Sequence, residues 1–396
     1  MKILILSHMF PLPHDPISGV FVLDQCRALQ SLGHQIIVIS PIPWVPLGGG
    51  SINSKWKLLN QVPAKLEMEG IQVYHPHTLF FPRGFAYHKT GTWYYKAIRS
   101  LAKKLHDEEH FEIIHAHTAL PDGYAAMMLH RDLKIPHVVT IHGDDLQHRL
   151  HQNRYCFSAI GESLAAADKI ILVSAKLQRN LRQFYPEIPH TRQIVIGNGI
   201  DAKKIPPTPP IFHKKNRTLI SLGQLKAIKG HRFVLQAMAK LGEFPLRYVI
   251  IGDGEERNPL ELLTDELGLR NQVEFTGSLP QDQAMRRMAE ADIFVLPSYE
   301  EGFGIVYLEA MAMSKPVIAC SGQGISDVIE SGNNGYLVEP QDINALIHTM
   351  RILLSDQNLA RSIGSRGKAK VYRSYLWRHQ MARLSILYDQ VLEMKP

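Results

Sequence analysis

Short apolar runs alternate with amphipathic stretches along this chain, and the alternation stops once and then starts again. In the first half the runs are Lys2–Ser7, Gln35–Ser40, Ile71–His75, Glu112–His117, His137–His142, Lys169–Ser174 and Gln193–Gly197. Most are continuous and rich in Ile and Val, the pattern of strands buried on both faces of a parallel sheet. Helical patterns such as Val20–Leu32 and Tyr94–Leu105 lie between them. Alternation of this kind predicts βαβ units and an α/β fold. It breaks at Ile205-Pro206-Pro207-Thr208-Pro209-Pro210, where proline removes N–H donors and fixes φ, and at the basic run Lys214-Lys215-Asn216-Arg217. It resumes with Thr218–Leu222, Arg247–Ile251, Val273–Thr276, Asp292–Leu296 and Pro316–Ala319.

Two domains follow from this cadence. Residues 1–200 form a first Rossmann-like domain, 201–216 a linker, and 217–374 a second Rossmann-like domain. Residues 375–396 carry helical periodicity through Leu376, Met381, Leu384, Leu387, Tyr388 and Val391, with no strand after them. They are expected to form a helix that packs back on the first domain. A length of 396 residues suits two cores rather than one. Two such domains would face a cleft, with ligands beyond the C-terminal strand edges.

Composition narrows the partners. The formal net charge is +7, too small an excess to indicate a nucleic-acid binder, and no recognition motif accompanies it. Of the 20 histidines, 16 fall in the first 200 residues, which therefore hold most groups that titrate near neutrality. Three distant cysteines, Cys26, Cys156 and Cys320, suit a reducing compartment and make neither a disulfide framework nor a CxxC zinc site. The apolar start Met1–Leu6 is short and reads as a buried strand rather than a signal peptide, and no run approaches a membrane span. A cytoplasmic protein is expected.

The densest local signal is Glu301-Gly302-Phe303-Gly304-Ile305-Val306-Tyr307-Leu308-Glu309-Ala310-Met311-Ala312. Gly302 and Gly304 flank a helix start, where free N–H groups and the helix dipole attract an anion. Glu309 lies one turn inside an otherwise apolar helix and leans back toward Glu301. A carboxylate there is costly unless satisfied, and sugar hydroxyls are suitable donors. A second constellation is Gly223-Gln224-Leu225-Lys226-Ala227-Ile228-Lys229-Gly230, where a lysine can meet charge developing on a leaving diphosphate. Gly19, after the first strand, permits close backbone approach to phosphate. His142 ends a buried strand ahead of Gly143, Asp144 and Asp145. Two lone acids supply too few oxygens for a hard cation, so no metal is expected.

Taken in order, these segments resemble the family-four retaining glycosyltransferases of the GT-B fold. The resemblance rests on the two glutamates in E-G-F-G-…-L-E-A-M-A, followed by Lys315-Pro316-Val317-Ile318. Ser18-Gly19-Val20-Phe21, His115-Ala116-His117, Thr140-Ile141-His142-Gly143, Gly197-Asn198-Gly199-Ile200-Asp201 and Gly252-Asp253-Gly254 add to it. The first half further resembles transferases of bacterial cell-surface polysaccharide assembly, such as teichuronic acid enzymes. The resemblance implies a nucleotide-diphosphate sugar as donor substrate and no metal or other cofactor. Glu309 would hold the ribose, Glu301 the donor sugar, and the amides around Gly302, Phe303 and Gly304 the phosphates or sugar. Lys229 and His142 would join Glu301 in catalysis. Gly19, Gly223, Gln224 and Lys226 would complete the donor site. The family usually has arginine where Gln224 stands, and glutamine supplies neither charge nor a bidentate fork.

On the acceptor side the candidates are His117 and Asp144. The acceptor would be a glycan or a lipid-linked glycan, attacking from the face the leaving group departs, with the leaving phosphate helping to take its proton. Trp44-Val45-Pro46-Leu47, Leu79-Phe80-Phe81-Pro82-Arg83 and Trp93-Tyr94-Tyr95-Lys96 place aromatics beside cations. This suits peripheral contact with anionic lipid at the inner face of the cytoplasmic membrane. Two other readings stay open at this point: a GT-B nucleotide-sugar epimerase, and a non-enzymatic bilobal binding protein.

Overall fold

The structure, a computed structural model, describes residues 1–45, 54–81, 84–212 and 216–393. Pro46, Leu47, Pro82, Arg83, Lys214 and Lys215, named above, lie outside the described residues. The chain divides into two compact units, residues 1–197 with 377–396, and residues 198–376.

The first unit is built on strands β1 (Lys2–Leu6), β2 (Gln35–Ile39), β3 (Ile42–Pro43), β4 (Lys65–Met68), β5 (Ile71–Tyr74), β6 (His77–Thr78), β7 (Ile113–Ala116), β8 (His137–Ile141), β9 (Lys169–Leu172) and β10 (Gln193–Val195). Eight of them form one sheet in the order β10-β9-β8-β7-β1-β2-β5-β4, and β3 pairs with β6 apart from it. Every pair in the large sheet is parallel except β4 with β5. The apolar runs account for seven of these strands within two residues at either end. β4 (Lys-Leu-Glu-Met) was not among them: it is an edge strand whose outward positions are Lys65 and Glu67, a composition that discourages further pairing.

The second unit has six parallel strands: β11 (Arg217–Leu222), β12 (Leu246–Ile251), β13 (Val273–Gly277), β14 (Ile293–Val295), β15 (Val317–Cys320) and β16 (Tyr336–Val338). Their order is β13-β12-β11-β14-β15-β16. The buried carboxylate of Asp292 accepts the N–H groups of Phe212 and Thr218, at 2.5 and 2.7 Å, and so pins the entry into β11 against the start of β14.

The helix Trp377–Glu393 belongs to the first unit. Trp377, Met381, Leu384, Leu387, Tyr388 and Val391 form its buried stripe. Tyr388 hydroxyl lies 2.6 Å from His115 Nδ1, Ser385 hydroxyl 2.9 Å from His34 Nε2, and Arg383 donates to the Val195 carbonyl at 2.9 Å. Among the described residues, no helix is long and apolar enough to cross a membrane.

Each sheet has one place where the chain reverses its direction of growth. In the first unit β1 is followed by β2 on one side and later by β7 on the other; in the second, β11 lies between β12 and β14. Loops leaving the two strands at such a point diverge and leave an opening beyond their C-terminal ends.

Candidate active site

In the second unit, the loops leaving β11 and β14 carry both constellations singled out in the sequence. Lys229 closes a short 3₁₀ turn, Ala227–Lys229, and its Nζ donates to Glu301 Oε2 at 2.6 Å. Both side chains are mostly sheltered, at 18% and 16% exposure, so water screens the pair incompletely. Tyr299 N–H and Ser298 hydroxyl both donate to the Ile228 carbonyl, which holds the two loops in register. Glu301 N–H donates to Gln323 Oε1 at 3.0 Å, a contact the sequence did not suggest.

Gly304 caps the helix Ile305–Ala312 with φ of 92°, and a Cβ there would lie 2.5 Å from the Tyr307 ring. Only glycine fits, and the helix start stays open to an anion. Phe303 is buried, and Glu309 is half-buried within the helix. Gly223 opens the β11 loop, while Gln224 and Lys226 are exposed. Neither of those two side chains makes a hydrogen bond or ion pair among the described residues. The structure therefore brings Lys229 to Glu301 and leaves Gln224 and Lys226 apart from them.

In the first unit the strand ends carry histidines. Gly19 has φ of 71°, and a Cβ there would fall 1.2 Å from the Met9 carbonyl oxygen. It caps the helix Val20–Ser31, whose Phe21 packs 4.7 Å from the His142 ring. His117 and His142, just past β7 and β8, stack in parallel with Nδ1 of one 3.2 Å from Nε2 of the other. His115 stacks beneath His117 and is held by Thr140 and Tyr388. Burial pushes His115 and His142 down to about 3 and His117 well below its ordinary value, each like-charged neighbour adding to the effect where it is felt. These rings stay neutral at physiological pH. Asp144 is exposed and pairs with Arg149 at 2.6 Å, so it is not joined to His117. Its neighbour Asp145 is buried, accepts the N–H groups of Ala119 and Leu120, and is raised by burial to about 7.

One further pair at this edge was not singled out in the sequence. His8 lies two residues past β1, and its Nδ1 is 3.0 and 3.1 Å from the two oxygens of Asp122. Asp122 is fully buried and also accepts from His8 N–H and Thr118 hydroxyl. Burial alone would depress His8, but the Asp122 charge and hydrogen bond outweigh it and raise the imidazole above its ordinary value. Nδ1 carries the proton toward the carboxylate, and Nε2 is left without a partner among the described residues. The signal was a histidine directly after the first strand and an acid in Leu120-Pro121-Asp122-Gly123 after another, two loops that only the strand order brings together.

Tyr94 and Tyr95 correct the reading of an aromatic surface. Both are buried, with the Tyr94 hydroxyl donating to the Ile39 carbonyl and that of Tyr95 to Asp132. Trp44, Leu79, Phe81 and Phe85 are exposed, and Phe81 packs edge-on against Phe85 and Trp93.

The chain is a two-unit α/β protein with a lysine–carboxylate pair beside a glycine-capped helix start, and comparison with known proteins makes its class specific. Residues 18–204 match the model of "Glycosyltransferase Family 4", and residues 201–370 that of "Glycosyl transferases group 1". The chain belongs to the family-four glycosyltransferases. It is 28% identical over 355 residues to the Bacillus subtilis (strain 168) protein TuaC, assigned as a glycosyltransferase of teichuronic acid biosynthesis, covering 87% of each chain. In fold it matches sucrose-phosphate synthase of Thermosynechococcus elongatus, with a TM-score of 0.82, 21% identity and full coverage of both chains. It also matches Anabaena HepE in complex with UDP-glucose, with a TM-score of 0.73, 19% identity, and coverage of 98% and 100%. The fold is GT-B, with two Rossmann-like parallel α/β units.

Proposed function

We propose that this glycosyltransferase moves a sugar, with retention and without a metal ion, from a nucleotide-diphosphate donor to a hydroxyl of a glycan or lipid-linked acceptor in bacterial cell-surface polysaccharide assembly. The Lys229–Glu301 pair carries the reading, because it stands where the second sheet reverses and beside the glycine-bounded helix start. The donor diphosphate takes Lys229 and the amides near Gly302, Phe303 and Gly304. Glu301, released from Lys229, turns to the sugar hydroxyls, and Glu309 takes the ribose. As the anomeric C–O bond breaks, its electron pair moves to the diphosphate, where Lys229 meets the growing charge. The acceptor oxygen bonds to the anomeric carbon from the same face, and its proton passes to an oxygen of the departing diphosphate.

The first unit serves the acceptor. His117 and His142 orient hydroxyls as neutral rings, and His8, held by Asp122 through Nδ1–H, accepts a hydrogen bond from the acceptor hydroxyl at Nε2 in its neutral form. The similarity to TuaC supports a cell-envelope glycan as product. The exposed Trp44, Leu79, Phe81 and Phe85 support peripheral contact with the inner leaflet, the place a lipid-linked acceptor would be met. Co-sedimentation with anionic liposomes at low salt is expected, and its absence removes the membrane part of the reading.

A calorimetric screen against UDP, GDP, ADP, TDP and their common sugars tests the donor site. One nucleotide should bind selectively, and binding should weaken roughly tenfold in Glu309→Ala, about the loss of one charge-assisted hydrogen bond. Equal binding by that variant would remove Glu309 from the ribose.

A further inference from the structure

The opposite end of the first sheet carries a cluster that glycosyl transfer does not use. His130 is on the helix Tyr124–Leu133, His137 opens β8, and Asp168 immediately precedes β9. One potential ligand atom from each lies within 4.8 Å of the others. His137 is fully buried, and neither of its ring nitrogens has a hydrogen-bond partner. A buried orphan of this kind is costly, and a bound ion or water is the usual partner for one. The neighbours fit an ion. His130 Nδ1 is 2.7 Å from the Ile135 carbonyl, which places its proton there and leaves the Nε2 lone pair free. Metal-bound histidines are commonly oriented by such a contact. Asp168 Oδ2 accepts His137 N–H at 2.8 Å and lies 3.8 Å from His137 Nδ1, which keeps the carboxylate at the ring.

We propose that His130, His137 and Asp168 form a binding site for a divalent transition-metal ion, zinc by donor chemistry. Two imidazoles and one carboxylate are a zinc-type set, with water as the fourth ligand. Calcium and magnesium require mainly oxygen donors, which this cluster lacks. Ligands on tetrahedral zinc stand about 3.4 Å apart, given bonds of about 2.0–2.1 Å. The cluster must therefore tighten by up to about 1.4 Å, through rotamer adjustment of the part-buried His130 and the part-exposed Asp168 together. The site ties one helix end to the starts of two core strands. Its role is structural, since His137 opens β8 while His142 follows the other end of that strand.

The test titrates ZnCl₂ into the chelator-treated full chain by calorimetry, with metal content measured after dialysis. One zinc per chain is expected, with a higher melting temperature that EDTA reverses. His130→Ala and Asp168→Asn, both at part-exposed positions that tolerate change, should each weaken binding at least tenfold, while nucleotide binding by the second unit stays unchanged. Absence of stoichiometric zinc, or equal affinity in both variants, overturns the site. In that case His137 and Asp168 are a plain hydrogen-bonded pair. Loss of nucleotide binding in the same variants would count against the donor-site reading instead.

Discussion

The two units solve the same topological problem with opposite chemistry. Each presents loops at the reversal point of a parallel sheet. In the second unit those loops hold a lysine, a carboxylate and a glycine-capped helix start, groups that respond to charge. In the first they lie beside a stack of three imidazoles that burial keeps neutral, while His8 and Asp145 are shifted toward holding a proton. The difference fits the roles proposed for the two units. A departing diphosphate develops charge and needs a cation in place beforehand, whereas a sugar hydroxyl needs orientation by neutral acceptors and donors.

The largest effect should come from the charged side. Lys229→Ala and Glu301→Gln are each expected to lower turnover by about 10²–10³, the usual result of removing one preorganised electrostatic contact. The variants should still unfold cooperatively, with a lowered melting temperature because a mostly sheltered pair loses one partner. As the two residues act together, the double variant should lose little beyond either single one. Near-wild-type turnover of either variant at saturating donor would break the comparison outright.

On the other side, Asp122→Asn should cost about 1–3 kcal/mol in urea unfolding, since a buried carboxylate with four donor contacts is replaced. The loss should depend on pH. His8 is raised in the fold, so its pairing stabilises fully below the unfolded histidine value of about 6.5 and fades as pH rises through the higher folded value. The variant should therefore lose more at pH 5.5 than at pH 9. A pH-independent loss would mean that Asp122 serves only the turn Thr118–Gly123.

The imidazole stack runs the other way. His115 and His142 are held near 3, so the stability they confer is present above about 6.5 and is lost as pH falls toward 3. Each can contribute up to about 1.4 kcal/mol per pH unit over that window. His142→Gln should flatten the acid limb of the stability profile measured by urea unfolding. An unchanged limb would place the acid sensitivity elsewhere.

This contrast also explains what could be read from the sequence. Strands such as Ile3–Leu6 and Val138–Ile141 are buried on both faces and announce themselves as continuous apolar runs. β4, with Lys65 and Glu67 outward, does not. The Glu301–Glu309 segment was legible because both acids fall in one local stretch around a helix start. Its partner Lys229 was legible from its own glycine-bounded loop, but the 2.6 Å contact between them depends on β11 and β14 lying side by side. His8 and Asp122 are 114 residues apart and neither stands in a local pattern, so only the pairing of β1 with β7 reveals them. Tyr94 and Tyr95 read as surface residues because aromatics beside lysines look alike whether the helix turns them outward or into the core.

Gln224 offers the smallest and most discriminating change. It is exposed on the β11 loop, where the family usually carries arginine, and its side chain has no partner among the described residues. If the charged side of the enzyme relies on Lys229 alone, Gln224→Arg adds a second cation with a bidentate fork. Binding of the preferred nucleoside diphosphate should tighten by about threefold to tenfold, roughly 1 kcal/mol at an exposed position. The gain should shrink as salt rises, since exposed charges are screened. If the added charge meets the distal phosphate, the nucleoside monophosphate should gain less. Equal gains for both would mean that the loop acts through the general field of the unit, and weaker binding would mean that Gln224 already holds the donor through a hydrogen bond that arginine cannot accept.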